Sequence, residues 1–311
     1  MKTVFMFPGQ GSQSIGMMSE LLAESVVARK VFQDASEAMG QDLIKIAAEG
    51  PESLINQTEI TQPIVLTASL AMWEVWKENT SFLPDYVCGH SLGEYTALVA
   101  SGVITLKEAV HLVHIRGQLM QTAVPEGEGA MAALLGLSDD LVSEACVEAA
   151  QGEVVAPANF NSPGQVVISG ATAALDRAMV LAKEKGAKRA AKLSVSVPCH
   201  CDLLKPAGDA LAQEMNKIQF QNPSIPIMQN VNACLAEDID SLKSNLLSHL
   251  YSPVLWAQSI SQLVKHDASV FIECGPGKVL AGLNKRIDKS VTTFAMSDLE
   301  TMKAVMSELQ A

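Results

Sequence analysis

The chain has 311 residues, of which 48% are hydrophobic and 18% charged, so it can bury a large core in one or two domains. A formal net charge of -12 and the lack of a basic stripe argue against a nucleic acid partner. No apolar run is long enough to cross a membrane, and the first seven residues read as a strand rather than a leader, so we expect a mature cytoplasmic protein.

Six cysteines are scattered through the chain, and none forms the C-x-x-C pair that zinc sites use. Cys199, His200 and Cys201 are adjacent, but three adjacent side chains cannot all turn toward one ion. We therefore expect reduced thiols and no bound metal. The cysteines are Cys88, Cys146, Cys199, Cys201, Cys234 and Cys274.

The first predicted strand, residues 3–7, runs into a polar, glycine-containing loop over residues 8–13. Such a loop lets a ligand approach the backbone, although an ordinary strand–helix connection fits it equally well and the lysine of a P-loop is missing. Helical patterns follow over residues 20–39 and 63–77. Pro63 is predicted at the first position of the second helix.

Residues 86–93 carry the clearest chemical pattern. An apolar strand leads into Gly89-His90-Ser91-Leu92-Gly93, which has the G-x-S-x-G spacing of a nucleophile elbow, and a helical pattern follows. A sharp strand-to-helix turn would expose the Ser91 hydroxyl, and the start of the helix would offer N–H groups to an oxyanion. The alternative is an ordinary glycine-bounded turn.

Thr105 and Glu108 form a capping box that opens the next predicted helix. This helix carries His111, His114 and Arg116, and their spacing does not by itself assemble them into one site. We interpret the two histidines as structural. Arg116 lies in a mostly apolar stretch and needs a partner if it is buried.

The sequence Pro-Glu-Gly-Glu-Gly at residues 125–129 interrupts the helical pattern, and the segment after it has a different succession of predicted strands and helices. Its predicted order is β-α-β-β-α-β, which is the ferredoxin-like pattern. We predict a small subdomain, residues 125–197, inserted into a larger domain that consists of residues 1–124 and 198–311. The predicted strands span 130–135, 154–159, 165–169 and 188–195, and the helices span 139–150 and 172–185.

Strands and helices alternate again after the insert. Helices are predicted to about residue 217 and over 279–287 and 298–310, and strands over 226–229, 270–273 and 292–295. The predicted fold class is therefore α/β. It has a large hydrolase-like domain with a mainly parallel sheet flanked by helices, plus the small ferredoxin-like insert.

A serine hydroxyl needs a neighbouring base before it acts as a nucleophile. His90 is adjacent to Ser91, so the turn should point it elsewhere, and the other helical histidines offer no distinguishing feature. His200 lies where the chain returns to the large domain, and clefts form between domains. The residues favour His200 as the base but leave the other histidines open.

Several motifs together resemble the bacterial malonyl-CoA:acyl carrier protein transacylase family. The resemblance covers nearly the whole chain, in order. It is carried by residues 7–13 (FPGQGSQ), 89–95 (GHSLGEY), Arg116 with Met120, 159–165 (NFNSPGQ), 196–200 (SVPCH) and 275–278 (GPGK).

This resemblance implies a ping-pong acyl transfer in fatty acid synthesis. Ser91 would attack the thioester of malonyl-CoA, and His200 would take its proton and later activate the phosphopantetheine thiol. The backbone N–H groups of Gln10 and Leu92 would form the oxyanion hole. Arg116 would hold the free malonyl carboxylate with its planar fork and reject an acetyl group, which would leave the cation unpaired.

Two positions depart from the family pattern. Glutamine is often found where this chain has His249, and the backbone carbonyl at that position accepts the N–H of the catalytic histidine. A carbonyl survives a side-chain change, so we predict that His249 orients His200 in the same way. Cys199 stands where serine is common, and we expect it to have a packing role, with oxidation able to block the site if the thiol is exposed.

The resemblance also implies a transient partner, acyl carrier protein, with no cofactor, no metal and no membrane contact. Because the partner is acidic and this chain is acidic too, docking needs a local basic patch, and we expect a monomer. A solvated charged face explains either basic cluster equally well. The clusters are Lys185, Lys188, Arg189 and Lys192 on the insert, and Lys278, Lys285 and Arg286 near the end of the chain.

Two other functions compete with the transferase. A serine thioesterase or other hydrolase on a related fold would use the same serine and histidine with water, but it would have no need for Arg116 or for the motif at 159–165. A non-catalytic scaffold that binds carrier protein would have no need for Ser91, His200, Gln10 and Arg116 together.

Overall fold

Two separate sheets organise the chain. The computed structural model describes residues 2–195 and 197–310 (of Gln310, the backbone alone). Met1, at the start of the predicted first strand, Ser196, in the motif that ends at His200, and Ala311, the last residue of the predicted large domain, lie outside the described residues. The predicted α/β fold class is confirmed, with a parallel sheet flanked by helices and a small antiparallel sheet.

The larger sheet has five parallel strands in the order β7-β2-β1-β8-β9. Residues 4–7 of its central strand are apolar and fully buried, because helices cover both faces of the sheet. Phe5 and Phe7 pack against Trp73 on one face, and Val4 and Met6 join the cluster around Trp256 on the other. The strands are β1 (Lys2–Phe7), β2 (Tyr86–Gly89), β7 (Ile227–Met228), β8 (Ala268–Cys274) and β9 (Thr292–Met296).

Twelve helices in the described chain accompany this sheet. They are α1 (Ser19–Glu24), α2 (Val26–Met39), α3 (Leu43–Glu49), α4 (Glu52–Ile55), α5 (Thr58–Asn79), α6 (Gly93–Ala100), α7 (Leu106–Ala123), α10 (Lys205–Met215), α11 (Ile239–Ser248), α12 (Trp256–Lys265), α13 (Val279–Ile287) and α14 (Leu299–Gln310), with a short 3₁₀ turn at Asp202–Leu204. The capping box of Thr105 and Glu108 is present at the start of α7.

Two helix predictions were wrong. The pattern over 20–39 is two helices, because Ser25 takes an extended conformation and its side chain caps α2. Helix α5 begins at Thr58 rather than at Pro63, which lies inside it. A proline frees the carbonyl four residues earlier, and here the ring Nδ1 of His114 lies 2.9 Å from that oxygen, on Glu59. The neighbouring helix therefore compensates for the proline.

The insert forms the second sheet, with the order β4-β5-β3-β6 and antiparallel pairs throughout. Along the chain the elements follow the predicted β-α-β-β-α-β order, and helices α8 and α9 bury a separate apolar cluster against the sheet. The division at residues 125 and 197 stays a prediction. The elements are β3 (Gly129–Leu135), α8 (Asp139–Ala150), β4 (Val155–Ser162), β5 (Gln165–Ala171), α9 (Thr172–Glu184) and β6 (Arg189–Lys192).

Strand β4 joins the insert to the rest of the molecule. The N–H of Phe160 donates to the Val254 carbonyl and the N–H of Val254 donates to the Ala158 carbonyl, each over 2.9 Å. These bonds place residues 159–161 beside the end of β2. In the part of the chain that the structure describes, no helix is long and apolar enough to cross a membrane.

Candidate active site

Ser91 lies at the turn between β2 and α6, with a left-handed φ of 50°. A positive φ is uncommon for serine and marks a constrained turn. Glycine is required on both sides, because a Cβ on Gly89 would overlap the backbone of Gly93, and one on Gly93 would overlap the Phe7 carbonyl. The turn therefore packs directly on the end of β1, and the predicted elbow geometry is present.

His200 is the histidine that the fold brings to Ser91. Its Nε2 lies 2.8 Å from the Ser91 Oγ, and its Nδ1 lies 2.7 Å from the His249 carbonyl oxygen. A carbonyl only accepts, so Nδ1 carries the proton and the lone pair of Nε2 faces the serine. His90 points elsewhere, with its Nε2 2.8 Å from Asn161 Oδ1. Among the described residues, His200 is the histidine with a ring nitrogen in hydrogen-bond contact with the Ser91 hydroxyl.

The His200 imidazole is held in its neutral form. Burial, followed by the positive charge of Arg116, lowers the pKa of His200 to about 3. A neutral imidazole next to a hydroxyl can accept its proton, whereas an imidazolium could not. His200 is therefore in the form that a general base requires throughout the neutral range.

Arg116 lies on α7 and is buried, and its guanidinium group faces the Ser91 hydroxyl. Its Nη2 lies 3.5 Å from the Ser91 Oγ, its Nη1 donates to the Gln62 side-chain oxygen over 2.7 Å, and its guanidinium carbon lies 5.4 Å from the Tyr95 ring centre. Its Nε has no partner among the described residues. The family resemblance implied a role for Arg116, but sequence reasoning did not single out Gln62, whose only sequence sign is a polar side chain within an apolar helical run.

Gln10 and Leu92 approach each other because β1 and β2 are parallel neighbours, in a register that pairs Phe7 with Gly89. The loops that follow the two strands therefore meet at one edge of the sheet. Within residues 2–195 and 197–310, the backbone N–H of neither residue donates to another residue. Two free donors beside a hydroxyl are the arrangement that an oxyanion hole needs.

The predicted side chains share one cavity of about 130 Å³, which is lined by Ser91, His200, Arg116, Gln10 and Leu92 among others. A second cavity of about 230 Å³, between the β1 loop, the insert and α13, shares several walls with it. In the described chain no group of three or more His, Cys, Asp or Glu side chains could hold a metal ion. Cys199 lines the first cavity and is partly exposed.

A buried glutamate beneath the elbow was missed by sequence reasoning. Glu94 follows the motif glycine, and its carboxylate accepts the N–H of Asn230 over 3.0 Å and the Gln229 side-chain N–H over 3.3 Å. The Asn230 side chain in turn accepts the Ser91 N–H over 2.8 Å. The sequence shows a charged residue directly after G-x-S-x-G. Its partners Gln229 and Asn230 are more than 130 positions away along the chain, so the sequence did not reveal that it is buried.

Comparison with known proteins gives consistent matches over nearly the full length. Residues 4–304 match the family described as Acyl transferase domain. The malonyl CoA-acyl carrier protein transacylase of Escherichia coli strain K12 is 47% identical over 302 residues, which cover 97% of this chain and 98% of that protein. The enzyme of the same name from Salmonella typhimurium is 46% identical over 304 residues, 98% of each chain.

Solved structures agree with the sequence matches. The acyl carrier protein S-malonyltransferase of Vibrio cholerae has a TM-score of 0.96 and 49% identity, covering 98% of this chain and 100% of that one. A malonyl-transacylase solved in complex with a type II PKS acyl-carrier protein has a TM-score of 0.98 and 43% identity, covering 99% and 100%.

Proposed function

Because the chain belongs to the acyl transferase family, and within it to the malonyl-CoA:acyl carrier protein transacylases, we propose that it transfers malonyl groups from malonyl-CoA to acyl carrier protein through a malonyl-Ser91 ester. The observation that carries this proposal is the position of one serine hydroxyl between a base and a buried cation. The Ser91 Oγ lies 2.8 Å from the His200 Nε2 and 3.5 Å from the Arg116 Nη2.

In the first half-reaction the Ser91 oxygen attacks the thioester carbon while His200 takes the hydroxyl proton. The N–H groups of Gln10 and Leu92 hold the oxyanion of the tetrahedral intermediate. The carbon–sulfur bond then breaks, and the CoA sulfur leaves with the proton from His200. The His249 carbonyl keeps the proton-bearing Nδ1 in place, so that Nε2 alone exchanges protons.

The second half-reaction reverses these roles. His200 takes the proton of the phosphopantetheine thiol, and the sulfur attacks the Ser91 ester. The serine oxygen then leaves and regains the proton. Arg116 holds the malonyl carboxylate in both halves with two parallel N–H donors. The enzyme is an acyltransferase that uses no metal or other cofactor.

Incubating the protein with malonyl-CoA alone tests the proposal. A transferase releases one equivalent of CoA and keeps the malonyl group, which mass spectrometry should find on Ser91, and adding acyl carrier protein that bears the thiol should then remove it. Ser91→Ala is the control and should form no adduct. Continuous release of malonate would support the hydrolase instead, and an absent adduct would support a scaffold.

We propose that carrier protein docks on the second basic cluster, which lies at the start and the end of α13. Lys278, Lys285 and Arg286 are exposed beside the second cavity, and the two lysines have no ion pair within the described chain. The insert cluster is already partly neutralised, which supports this choice. Its Lys185 pairs with Glu148 over 2.6 Å and its Lys192 with Asp176 over 2.7 Å. We further propose a monomer that works in the cytoplasm.

A further inference from the structure

We propose that Glu94 is a positioning residue for both halves of the Ser91–His200 pair, acting on Ser91 through Asn230 and on His200 through His249. This inference rests on the proposed acyl transfer. It concerns a carboxylate that touches neither the substrate cavity nor the reacting atoms.

The link from Glu94 to Ser91 is a short chain of hydrogen bonds. The backbone N–H of Asn230 donates to Glu94 Oε2 over 3.0 Å. The side chain of Asn230 accepts the Ser91 N–H over 2.8 Å and donates to the Gly89 carbonyl over 2.7 Å. Asn230 therefore holds the elbow at two points, and the carboxylate holds Asn230.

The link from Glu94 to His200 passes through His249, the residue that caps the C-terminus of α11. The His249 Nδ1 lies 3.6 Å from Glu94 Oε2, and its carbonyl oxygen lies 2.7 Å from the His200 Nδ1. The centres of the two imidazole rings lie 5.0 Å apart. His249 is fully buried, and neither of its ring nitrogens has a hydrogen-bond partner among the described residues.

An imidazole N–H buried without an acceptor is unfavourable. The Glu94 carboxylate is the nearest acceptor for this N–H. A small shift of either side chain would bring the His249 Nδ1–H within hydrogen-bond distance of Glu94 Oε2. Such a bond would fix the residue whose carbonyl fixes His200. A negative charge behind the pair would also stabilise the His200 imidazolium that forms during each proton transfer.

The charge on Glu94 changes near neutral pH. Burial raises the pKa of Glu94 to about 7, against the opposing effects of Asn230, Gln229 and Arg116. Only the ionised form can accept on both of its oxygens, from Gln229 at Oε1 and from Asn230 and His249 at Oε2, so the acylation rate should rise with pH through this range. The titratable groups that face Glu94 are Arg116, Cys88, Tyr95 and His249, and His249 in turn faces His200 and His90.

The experiment measures the rate of malonyl-Ser91 formation from pH 5.5 to 9 in five proteins. They are the wild type, Glu94→Gln, His249→Leu, His249→Gln and Glu273→Gln. Leucine keeps apolar bulk at position 249 without a donor, whereas glutamine restores an N–H. Glu273 is a second buried glutamate, with a carboxylate that accepts the Ala281 N–H over 2.8 Å in α13, so its variant is the matched control.

We expect the wild-type rate to rise with an inflection near pH 7, and Glu273→Gln to keep that inflection. Glu94→Gln should lose the inflection and fall about tenfold below the wild-type rate at pH 8, because glutamine stays neutral at every pH. His249→Leu should fall by a similar factor, and His249→Gln should recover most of that loss.

The proposal is overturned if Glu94→Gln keeps the wild-type inflection, or if leucine and glutamine at position 249 give equal rates. If Glu94→Gln does not fold, the comparison of His249→Leu with His249→Gln tests the proposal on its own. A failure of the proposed function is a different result, since the wild type would then form no malonyl-Ser91 at any pH.

Discussion

Arg116, which we propose holds the malonyl carboxylate, is oriented by its neighbours in the fold. Gln62 holds one guanidinium nitrogen, and Tyr95 lies beneath the group, so its direction is set before any ligand arrives. A cation buried in this way is costly unless an anion joins it, and an acyl group without a carboxylate supplies none. Selection by an unpaired charge is stronger than selection by cavity size alone.

Replacing Arg116 with lysine tests this at the residue scale. The charge is kept but the paired donors are lost, so kcat/KM for malonyl-CoA should fall about 30-fold, which corresponds to ~2 kcal/mol. The slow reaction with acetyl-CoA should not fall. Arg177→Lys is the control, because Arg177 pairs with Glu153 on the surface of the insert. Equal losses for both substrates would mean that Arg116 only supports the fold.

At the scale of single elements, the elbow depends on close packing between β1, β2 and the start of α6. The His90 N–H donates to the Phe7 carbonyl over 3.0 Å, and Gly93 lies against the same carbonyl. The strand-to-helix turn therefore has no room for a side chain at this point. The constraint is steric and local, so it can be tested without measuring activity.

Gly93→Ala should lower the free energy of unfolding by ~3 kcal/mol or more, because its methyl group would overlap backbone atoms that cannot move aside. Gly282→Ala, in the exposed part of α13, meets no atom within 4 Å and should raise the free energy of unfolding by about 0.5–1 kcal/mol. Urea unfolding of both variants gives the comparison. A stable Gly93→Ala protein would show that the turn is looser than described.

At the scale of the whole molecule, docking depends on where the charges lie rather than on their sum. Lys285→Glu should raise the KM for carrier protein about fivefold, ~1 kcal/mol, with a larger effect at low salt and little change in the KM for malonyl-CoA. Lys303→Glu makes the same charge change on α14, which packs on the opposite face of the sheet from α13. Equal effects of the two variants would contradict the α13 patch.

Acid stability is also a property of the whole molecule. Burial lowers the pKa values of His90, His200 and His249, so below about pH 6.5 the unfolded chain binds protons that the native protein does not. These residues therefore cost stability as the pH falls. Glu94 acts in the opposite sense, because its raised pKa means that the native state binds the extra proton between about pH 4.5 and 7.

His249→Gln should reduce this acid sensitivity. One depressed pKa is removed, so the loss of unfolding free energy between pH 7 and pH 5 should shrink by about 2 kcal/mol. Urea unfolding at the two pH values measures it. If His249→Gln lost as much unfolding free energy between pH 7 and pH 5 as the wild type, His249 would have to be protonated in the native protein.

The sequence by itself determined the local features of this protein. The G-x-S-x-G spacing and the capping box at Thr105 each depend on residues within a few positions of one another. The β-α-β-β-α-β order was read one element at a time, each from the periodicity of its own residues. The α/β class followed from the alternation of apolar strands and helices. Helices α3, α4 and α11 were not predicted, because their apolar faces form only against distant elements.

Only the tertiary structure decided which distant residues form the site. Residues alone left several histidines as candidate bases, and they did not connect Gln62, Asn230 or Glu94 with the site. Ser91 and His200 are 109 positions apart, and hydrogen bonds over such separations depend on strand order and on how the insert returns to the large sheet. Spacing along the chain carries no information about that return. Burial, which lowers the pKa of His200 and raises that of Glu94, likewise arises only when the whole core has closed.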